Sequence, residues 1–396
     1  MLIAAEQIVG TADAARPVPG PGFVDLSDGV ISRAGAGRPP AEPDIALPDG
    51  YLVPGLVDLQ INGYYGTEFQ AADAAAWAAV ARRLPETGTT SFAPTLITAP
   101  VAVLAEALRR AAAFVPELPA TGARVLGVHL EGPFISPARR GAHNQAWITD
   151  PDPAAVAGLI EVGSGLLRLV TLAPERPGAL AAVDQLAAAG ILVSIGHTDA
   201  TAGQVAAAAG RGARMVTHLF NAQRGLHHRE PGVVGQALTD ERLTSGLIAD
   251  LHHVAEPVCG LAFRAAPGRI ALVTDAAAAA GMAPGQYLLG GQEITLPPGE
   301  SAPPVRADGT LAGSALRLDQ AVANAVRCGL ALPAAVAAAT RIPADLIGRP
   351  DLGRLAAGAA ADLVWLSPGL RTRATWIAGQ LVYTDGAAAT LAAVQA

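Results

Sequence analysis

The chain has 396 residues, of which 51% are hydrophobic and 15% charged, and its formal net charge is −7 at pH 7. This composition indicates a globular protein with an ample core and excludes a disordered chain. The acidic balance offers no basic surface of the kind that a nucleic-acid partner requires.

The absence of lysine limits the chemistry that the chain can perform. All 27 basic residues are arginine, so no mechanism can use a lysine amine or a carbamylated lysine. The two cysteines, Cys259 and Cys328, are far apart in sequence, which favours a reduced, cytoplasmic setting. The first residues lack the features of a signal peptide, and no apolar stretch reaches membrane-spanning length, so we expect no membrane partner.

Both ends of the chain carry short alternating apolar runs between glycine and proline clusters, which is the pattern of a small β unit. The runs are 2–9, 22–26 and 29–32 at the start, and 361–366 and 374–383 near the end, with a turn at Gly379. Neither end has enough core alone. We therefore predict that residues 1–51 and 355–396 combine into one β-sandwich.

The middle of the chain alternates between buried-type strands and helices rich in alanine and leucine. The eight strand-like runs are 51–60, 89–95, 124–130, 167–172, 191–196, 214–217, 245–249 and 270–274. Strands and helices alternating in this way predict an α/β fold, a (β/α)8 TIM barrel within residues 52–354. A doubly wound sheet is the alternative, weakened because no glycine-rich dinucleotide fingerprint follows the first strand.

Polar residues follow the predicted barrel strands, at the end of such a barrel where active sites lie. A carboxylate such as Glu131 costs several kcal/mol there unless a cation or a donor lies beside it. The strand-end residues are Gln60, Asn62, Glu131, His197, His218, Asp250 and Asp275. Glu131 with His197 and His218 is a suitable ligand set for a divalent ion with one position open for water. Hydrogen-bonded core or surface histidines are the alternative.

Asp275 follows the last strand, and near an activated water its natural role is general base and then general acid. It could also cap the alanine run that follows it. All eight histidines lie between residues 129 and 253. We expect His129 to be structural, since it lies one step deeper in its strand than Glu131, and His227 and His228 to be solvated loop residues.

The chain resembles the N-acetylglucosamine-6-phosphate deacetylases of the amidohydrolase superfamily over nearly its whole length. The segments that carry the resemblance are 54–63, 129–134, 141–144, 196–198, 217–222, 229–232, 249–254, 273–276 and 311–315. The resemblance implies an amidohydrolase-type barrel. It also implies that the three strand-end ligands hold the metal ion and that Asp275 is the catalytic acid and base.

The number of metal ions follows from two departures from the wider superfamily. Many amidohydrolases have a His-x-His motif after the first strand and hold two metal ions bridged by a carbamylated lysine. This chain has Gln60 and Asn62 at those positions and no lysine. Both facts favour one divalent ion per subunit, with Zn²⁺ preferred over Fe²⁺, Co²⁺ or Mn²⁺.

The resemblance also implies a set of substrate-binding residues. They are Gln60, Asn62, His143, Asn221, Ala222, Arg229 and His253. His143 would polarise the acetyl carbonyl and is therefore also expected to be catalytic. Asn221 and Ala222 would offer backbone amides to the phosphate, and Arg229 would reach it from the neighbouring subunit of a homodimer.

Two departures from the family leave details open. Leu251 stands where the family usually has glycine, so His252 could compete with His253 for the substrate contact. The loop 223–228 also differs from the common version, which leaves the sugar specificity open.

The predicted reaction is hydrolysis of N-acetyl-D-glucosamine 6-phosphate to acetate and D-glucosamine 6-phosphate, in amino-sugar catabolism. Asp275 would take a proton from the attacking water and return it to the departing amine. The alternatives are another N-acetylhexosamine 6-phosphate, a different amide cleaved by a superfamily relative, and an inactive scaffold protein. The intact ligand set and Asp275 argue against the inactive scaffold.

Overall fold

The computed structural model describes residues 1–10, 19–299 and 302–386. Two sheets organise the described residues: one is built from both ends of the chain, and the other is a barrel formed by the middle. The first five strands are β1 (Leu2–Ile8), β2 (Gly20–Ser27), β3 (Val30–Ala36), β4 (Ile45–Leu47) and β5 (Tyr51–Pro54). They all belong to the terminal sheet.

The barrel begins directly after β5. Its strands, with the short strands between them, are β6 (Leu56–Ile61), β7 (Gly63–Tyr64), β8 (Thr67–Glu68), β9 (Thr89–Ile97), β10 (Arg124–Val125), β11 (Val128–Glu131), β12 (Leu167–Leu172), β13 (Leu192–Ile195), β14 (Ala213–Val216), β15 (Thr244–Leu247) and β16 (Ile270–Leu272). Eight of them pair in parallel in the order β6-β9-β11-β12-β13-β14-β15-β16. A parallel bridge between Ile61 and Ala276 joins the last strand to the first. The closed barrel is thus confirmed over the open, doubly wound sheet.

Helices separate the barrel strands and cover them. They are α1 (Ala74–Arg83), α2 (Val101–Phe114), α3 (Pro153–Val162), α4 (Ala179–Ala188), α5 (Ala202–Gly210), α6 (Gly232–Thr239), α7 (Glu256–Ala265), α8 (Leu318–Arg327), α9 (Leu332–Ala338) and α10 (Arg341–Leu346). Asp152 caps α3 by accepting a hydrogen bond from the backbone N–H of Ala155 at 3.0 Å. Among the described residues, none of the helices has the length and apolarity needed to cross a bilayer.

A hairpin of β17 (Gly285–Leu289) and β18 (Gln292–Leu296) is inserted between β16 and α8. The chain then returns to the terminal sheet with β19 (Leu363–Leu366), β20 (Thr372–Ile377) and β21 (Gln380–Thr384). Strand β1 pairs with β2 along one edge, and along the other edge with β4 and then β5. Within the described residues, strands from both end regions thus build one β unit apart from the barrel, as predicted. Residues 11–18 and 387–396 of that prediction lie outside the described residues.

The predicted strand at 51–60 is wrong as a single barrel strand. The chain breaks at Gly55, where a Cβ atom would lie 2.1 Å from the Thr90 hydroxyl. Residues before the break pair with β19, and residues after it pair with β9. Two buried strands in tandem have the same apolar character as one long strand, so local sequence does not separate them.

The barrel and the terminal sheet are joined through buried carboxylates. Asp319 of α8 is fully buried and accepts hydrogen bonds from the backbone N–H and the hydroxyl of Thr372, each at 3.0 Å. Arg317 pairs with the same carboxylate at 2.8 Å. Because these groups satisfy one another, β20 is held against the barrel without leaving an unpaired buried charge.

Candidate active site

Three ligand-type atoms meet in a tight triangle at the carboxyl end of the barrel. His218 Nε2 lies 3.0 Å from Glu131 Oε1 and 3.0 Å from His197 Nε2. His197 Nε2 lies 3.4 Å from the same glutamate oxygen. All three side chains are buried. The structure thus brings together the three residues that the strand-end pattern predicted as metal ligands.

The triangle has the dimensions of a divalent metal site. A tetrahedral zinc ion with ligands at about 2.0–2.1 Å separates its ligand atoms by about 3.3 Å. One carboxylate and two imidazoles are also donors that suit such an ion, and burial would be costly for this set without a cation. The donor set therefore fits a single divalent ion.

The backbone at the strand ends turns these side chains inward. His197 and His218 follow β13 and β14 with φ angles of 47° and 28°, in the left-handed region that residues other than glycine rarely adopt. His197 Nδ1 lies 2.9 Å from the carbonyl oxygen of Arg139, to which it donates a hydrogen bond. That bond leaves Nε2 free as a ligand, as outer partners of metal-binding histidines commonly do.

The pKa shifts of the triangle residues show that the site favours a positive charge. Burial would raise the pKa of Glu131, but hydrogen bonds and charges from His197 and His218 outweigh it and hold the pKa well below its usual range. Burial would lower the pKa of His218, yet its hydrogen bond to Glu131 raises it. Both shifts follow from the close approach of a carboxylate to two imidazoles in a buried site.

Asp275 lies beside the triangle with one oxygen already engaged. Its Oδ1 accepts hydrogen bonds from Gln60 Nε2 at 3.1 Å and from Asn62 Nδ2 at 2.6 Å. Gln60 Nε2 also donates to Glu131 Oε1 at 2.9 Å, which links the acid to the ligand set. Burial, together with the charge of Glu131, raises the pKa of Asp275 to about 6.

His143 approaches the same carboxylate from a different side. Its Nε2 lies 3.7 Å from Glu131 Oε2, whereas the triangle uses Oε1. The donor atoms of Glu131, His143 and His197 all lie within 4.8 Å of one another, so His143 is a geometric rival to His218 as a ligand. Contacts from Thr98 distinguish His143 from His218. The backbone N–H of Thr98 donates to His143 Nδ1 at 3.4 Å, and the Thr98 hydroxyl lies 2.7 Å from the same nitrogen.

The hydrogen on the His143 ring follows from these contacts. Burial lowers the pKa of His143 to about 3, so the ring is neutral and carries one hydrogen. The backbone N–H of Thr98 is directed at Nδ1, and with that contact as a hydrogen bond the ring hydrogen is on Nε2. His143 therefore presents a donor rather than a ligand lone pair at this point of the site.

A cavity of about 320 Å³ opens above these residues. Nine of the predicted site residues line it: Asn62, Glu131, His143, His197, His218, Asn221, Ala222, His253 and Asp275. Gln60 lies beneath the cavity and acts through its two hydrogen bonds. Of the two competing histidines, His253 lines the cavity and His252 is exposed.

With this geometry established, comparisons with known proteins identify the family. A family model described as the amidohydrolase family matches residues 51–382. This chain belongs to the amidohydrolase family. The match spans the barrel and most of the C-terminal strands, so it covers every residue of the site.

Individual relatives show which amidohydrolases this chain is similar to. The N-acetylglucosamine-6-phosphate deacetylase of Bos taurus is 41% identical over 350 residues, which are 84% of this chain and 83% of the relative. An N-acetylgalactosamine-6-phosphate deacetylase of Escherichia coli O157:H7 is 39% identical over 360 residues, which are 90% and 93% of the two chains. The resemblance to deacetylases of amino-sugar phosphates is therefore confirmed.

A solved structure supports the same placement. A mutant N-acetyl-D-glucosamine-6-phosphate deacetylase from Mycobacterium smegmatis, in complex with N-acetyl-D-glucosamine-6-phosphate, superposes with a TM-score of 0.89 at 38% identity. The superposition covers 97% of this chain and 99% of that one. The predicted combination of barrel and separate terminal sheet is thus the architecture of a solved amidohydrolase.

One predicted residue lies away from the cavity of its own subunit in this amidohydrolase. Arg229 is exposed on the loop after β14, where its Nη1 lies 2.8 Å from His228 Nε2. Neither His227 nor His228 lines the cavity. Both are exposed, as the sequence predicted.

Several cavity residues were not among the predicted site residues. Ile97, Ala142, Ile248 and Leu289 form apolar walls, and Thr310 and Leu311 approach from the segment after the β17–β18 hairpin. Such residues have ordinary side chains, and only the fold places them at the cavity. The strand-end rule could have found Ile97 and Ile248, since each lies at or just beyond the end of a barrel strand.

A second polar layer supports the site from below. His129 lies between the hydroxyls of Thr95 and Thr171, at 3.2 Å and 2.8 Å, and burial lowers its pKa to about 4. The Thr171 hydroxyl lies 2.7 Å from that of Thr217, on the strand that leads to His218. The structure thus agrees with the expected structural role for His129.

Proposed function

We propose that this amidohydrolase removes the acetyl group of N-acetyl-D-glucosamine 6-phosphate, releasing acetate and D-glucosamine 6-phosphate. The observation that carries the proposal is the triangle of Glu131, His197 and His218 beside Asp275 in one buried cavity. The named deacetylases among the relatives support the same substrate class.

One divalent ion would be held by the triangle, and we favour zinc, since a carboxylate with two imidazoles is typical of catalytic zinc sites. When bound, the ion activates a water molecule and polarises the acetyl carbonyl. Gln60 and Asn62 donate to Asp275 through their amide nitrogens. The absence of lysine, and of histidines at these two positions, supports a single ion per subunit.

Asp275 transfers a proton from the attacking water molecule to the departing amine. Its Oδ1 is occupied by the two amide donors, so Oδ2 takes the proton of the attacking water molecule. The same oxygen then returns the proton to the nitrogen of the sugar, because an amine leaves far more readily than an amide anion. His143 donates from Nε2 to the acetyl oxygen as negative charge develops there.

The phosphate would be bound where Asn221 and Ala222 line the cavity. Arg229 is exposed and does not line the cavity of its own subunit, which supports the proposal that it serves the neighbouring subunit of a homodimer. A guanidinium group can bind two phosphate oxygens at once, so this contact would favour the phosphorylated sugar.

A second candidate substrate is N-acetyl-D-galactosamine 6-phosphate, because one relative of similar identity carries the name of that activity. The two sugars differ only in the configuration at C4. Acetate release from both phosphorylated sugars, and from their unphosphorylated forms, would rank them. A preference for the galactosamine compound would replace the first proposal without changing the chemistry.

A reducing compartment such as the cytoplasm suits the chain. Cys259 and Cys328 are both buried and form no disulfide. Proteins in oxidising compartments usually use their cysteines as disulfides.

The role of Asp275 is tested by Asp275→Asn in zinc-reconstituted protein. Asparagine keeps the shape but cannot take a proton, so we expect kcat to fall by about 10²–10⁴-fold. Acetate release measures turnover, and elemental analysis measures zinc content. Asp152→Asn, which alters an exposed helix cap, is the control. Near-normal turnover with zinc retained would remove Asp275 from the mechanism.

A further inference from the structure

An apolar surface closes one side of the cavity and takes no part in the proton transfer described above. Ile97, Ala142 and Leu289 line the cavity. They come from three separate parts of the chain: the end of β9, the loop that carries His143, and the β17–β18 hairpin. Ile97 and Leu289 belong to one small apolar cluster, and Ala142 packs against it. The three side chains therefore form one surface, here called the hairpin wall.

The hairpin wall adjoins the polar groups of the site. Ile97 pairs with Glu131 in the register of β9 and β11. Ala142 directly precedes His143 in the chain. The wall therefore lies next to one of the three metal-ligand residues and next to the imidazole proposed to donate to the acetyl oxygen.

Hydrogen bonds and close packing fix the hairpin against the barrel. Gln292 Nε2 donates to the carbonyl oxygen of Ala142 at 2.7 Å. The backbone N–H of Gly290 donates to the carboxylate of Glu68. A Cβ atom at Gly290 would lie 2.5 Å from Ile97 Cδ1, so the turn of the hairpin rests directly on that side chain. The wall thus has a defined position relative to the catalytic groups.

The carbonyl carbon of an N-acetyl group has three substituents, and the polar groups of the site account for two of them. In the proposed reaction the oxygen faces His143 and the nitrogen faces Asp275. The methyl group is the third, and it has no polar partner to seek. Contact with apolar side chains is favourable for it, because the contact removes apolar surface from water.

We propose that the hairpin wall receives the methyl group of the acyl substituent, and that Leu289 limits the length of the acyl chain that the enzyme accepts. The proposal rests on the proposed function, because it takes the cavity occupant to be an N-acyl amino-sugar phosphate. Ile97 and Leu289 are only 4% and 5% exposed. An acyl chain longer by one methylene would have to displace a packed side chain, which is unfavourable.

The test compares acyl chains on one sugar, using N-acetyl-, N-propionyl- and N-butyryl-D-glucosamine 6-phosphate with zinc-reconstituted protein. Release of D-glucosamine 6-phosphate, the product common to all three, measures turnover. In the wild type we expect kcat/KM to be about 10- to 200-fold higher for acetyl than for propionyl. Leu289→Ala should lower this ratio by about tenfold or more.

The same hairpin offers a matched control. Leu288 precedes Leu289 in β17 but is 50% exposed. Leu288→Ala removes the same atoms outside the cavity, so it should leave the ratio between acetyl and propionyl unchanged. Leu289→Val removes one carbon only and should give an intermediate ratio, and it replaces Leu289→Ala if urea unfolding shows that the alanine variant does not fold.

Binding measures the acyl preference without turnover. In the Asp275→Asn background, calorimetry gives the Kd of the N-acetyl and the N-propionyl compound. The N-acetyl compound should bind at least about tenfold more tightly, and adding Leu289→Ala should narrow this difference. A residue that only supports the fold would weaken both compounds equally.

Several outcomes would overturn the proposal. A wild type that hydrolyses the propionyl compound as well as the acetyl compound would show that the wall sets no limit. Equal losses for all three chains in Leu289→Ala, or the same change of ratio in Leu288→Ala, would assign Leu289 a structural role only. If the wild type released no product, the proposed function would fail, while the two Kd values would still decide the acyl preference. Absence of binding as well would overturn both.

Discussion

Asp58 is a carboxylate without a cation in the barrel interior. It lies on β6, fully buried, and accepts a hydrogen bond from the Thr274 hydroxyl at 2.6 Å. The backbone N–H of Gln60 donates to it at 3.1 Å. Burial outweighs these donors and raises the pKa of Asp58 to about 7. Asp58 thus links the two strands that carry Gln60 and Asp275, at a cost that depends on pH.

The sign of that dependence follows from the proton count. Between pH 4 and 7 the folded state keeps a proton on Asp58 that the unfolded state has lost, so the free energy of unfolding falls as pH rises. Relative to Asp58→Asn, the wild type should gain stability as pH is lowered from 7 towards 4, by up to about 1.4 kcal/mol per pH unit. Urea unfolding of both proteins at pH 5, 6, 7 and 8 measures this difference.

Asp152→Asn is the control for this series, since its carboxylate is exposed, and its difference from the wild type should change little with pH. A constant difference between the wild type and Asp58→Asn across the series would show that Asp58 titrates normally.

At the scale of single elements, a glycine at one barrel strand end is packed more tightly than a glycine inside helix α3. Gly196 precedes His197, and a Cβ atom there would lie 2.7 Å from Thr217 Cβ and 2.8 Å from Thr171 Cγ2. Gly158 lies inside α3, and a Cβ atom there would meet no atom within 4 Å. The same substitution should therefore have opposite effects at the two positions.

Gly196→Ala should destabilise the protein by about 1–3 kcal/mol, because β13 must shift against both neighbouring strands. It should also weaken zinc binding by displacing His197. Gly158→Ala should raise the stability by about 0.5–1 kcal/mol and leave activity unchanged. Urea unfolding and zinc titration test both variants. Equal zinc affinity in the two would show that the strand end adapts without moving its ligand.

At the scale of the whole molecule, we propose that a second subunit completes the site for the phosphate. Arg229 lies on the exposed stretch 225–229, beside Leu226, which is 55% exposed. An exposed apolar side chain and an exposed guanidinium on one stretch suit a protein–protein interface, where arginine is enriched. The proposed homodimer would bring this arginine to the neighbouring cavity.

Mixed dimers of two defective subunits test this arrangement. In a dimer of Arg229→Ala with Asp275→Asn, the intact Asp275 faces the intact arginine of its partner, so we expect a wild-type KM for the phosphorylated sugar. The Arg229→Ala homodimer should have a KM at least roughly tenfold higher, as expected for loss of a charged hydrogen bond. Acetate release from tagged, co-expressed dimers measures both values.

The reverse pairing is the control. A wild-type subunit paired with the double variant Asp275→Asn/Arg229→Ala should show the high KM, since its only active cavity lacks the partner's arginine. The same KM in both mixed dimers, or a monomeric protein, would contradict the exchange of Arg229.

The sequence alone determined the barrel and where its chemistry collects. Buried strands alternating with helices indicate a parallel sheet covered on both faces, and eight such strands without a dinucleotide fingerprint favour the closed barrel over the doubly wound sheet. Since parallel strands end at the same rim, residues that follow different strands meet there, although Glu131 and Asp275 are far apart in the chain. Local pattern and one topological rule were sufficient for this much.

Only the tertiary structure decided which groups orient the histidine side chains of the site. The Arg139 carbonyl fixes His197, Thr98 fixes His143, and Asp250 fixes His253. The break at Gly55 depended equally on Thr90 of another strand. Such contacts join side chains to backbone atoms across the fold and leave no periodic trace in the sequence, because each depends on distance in space rather than on spacing along the chain.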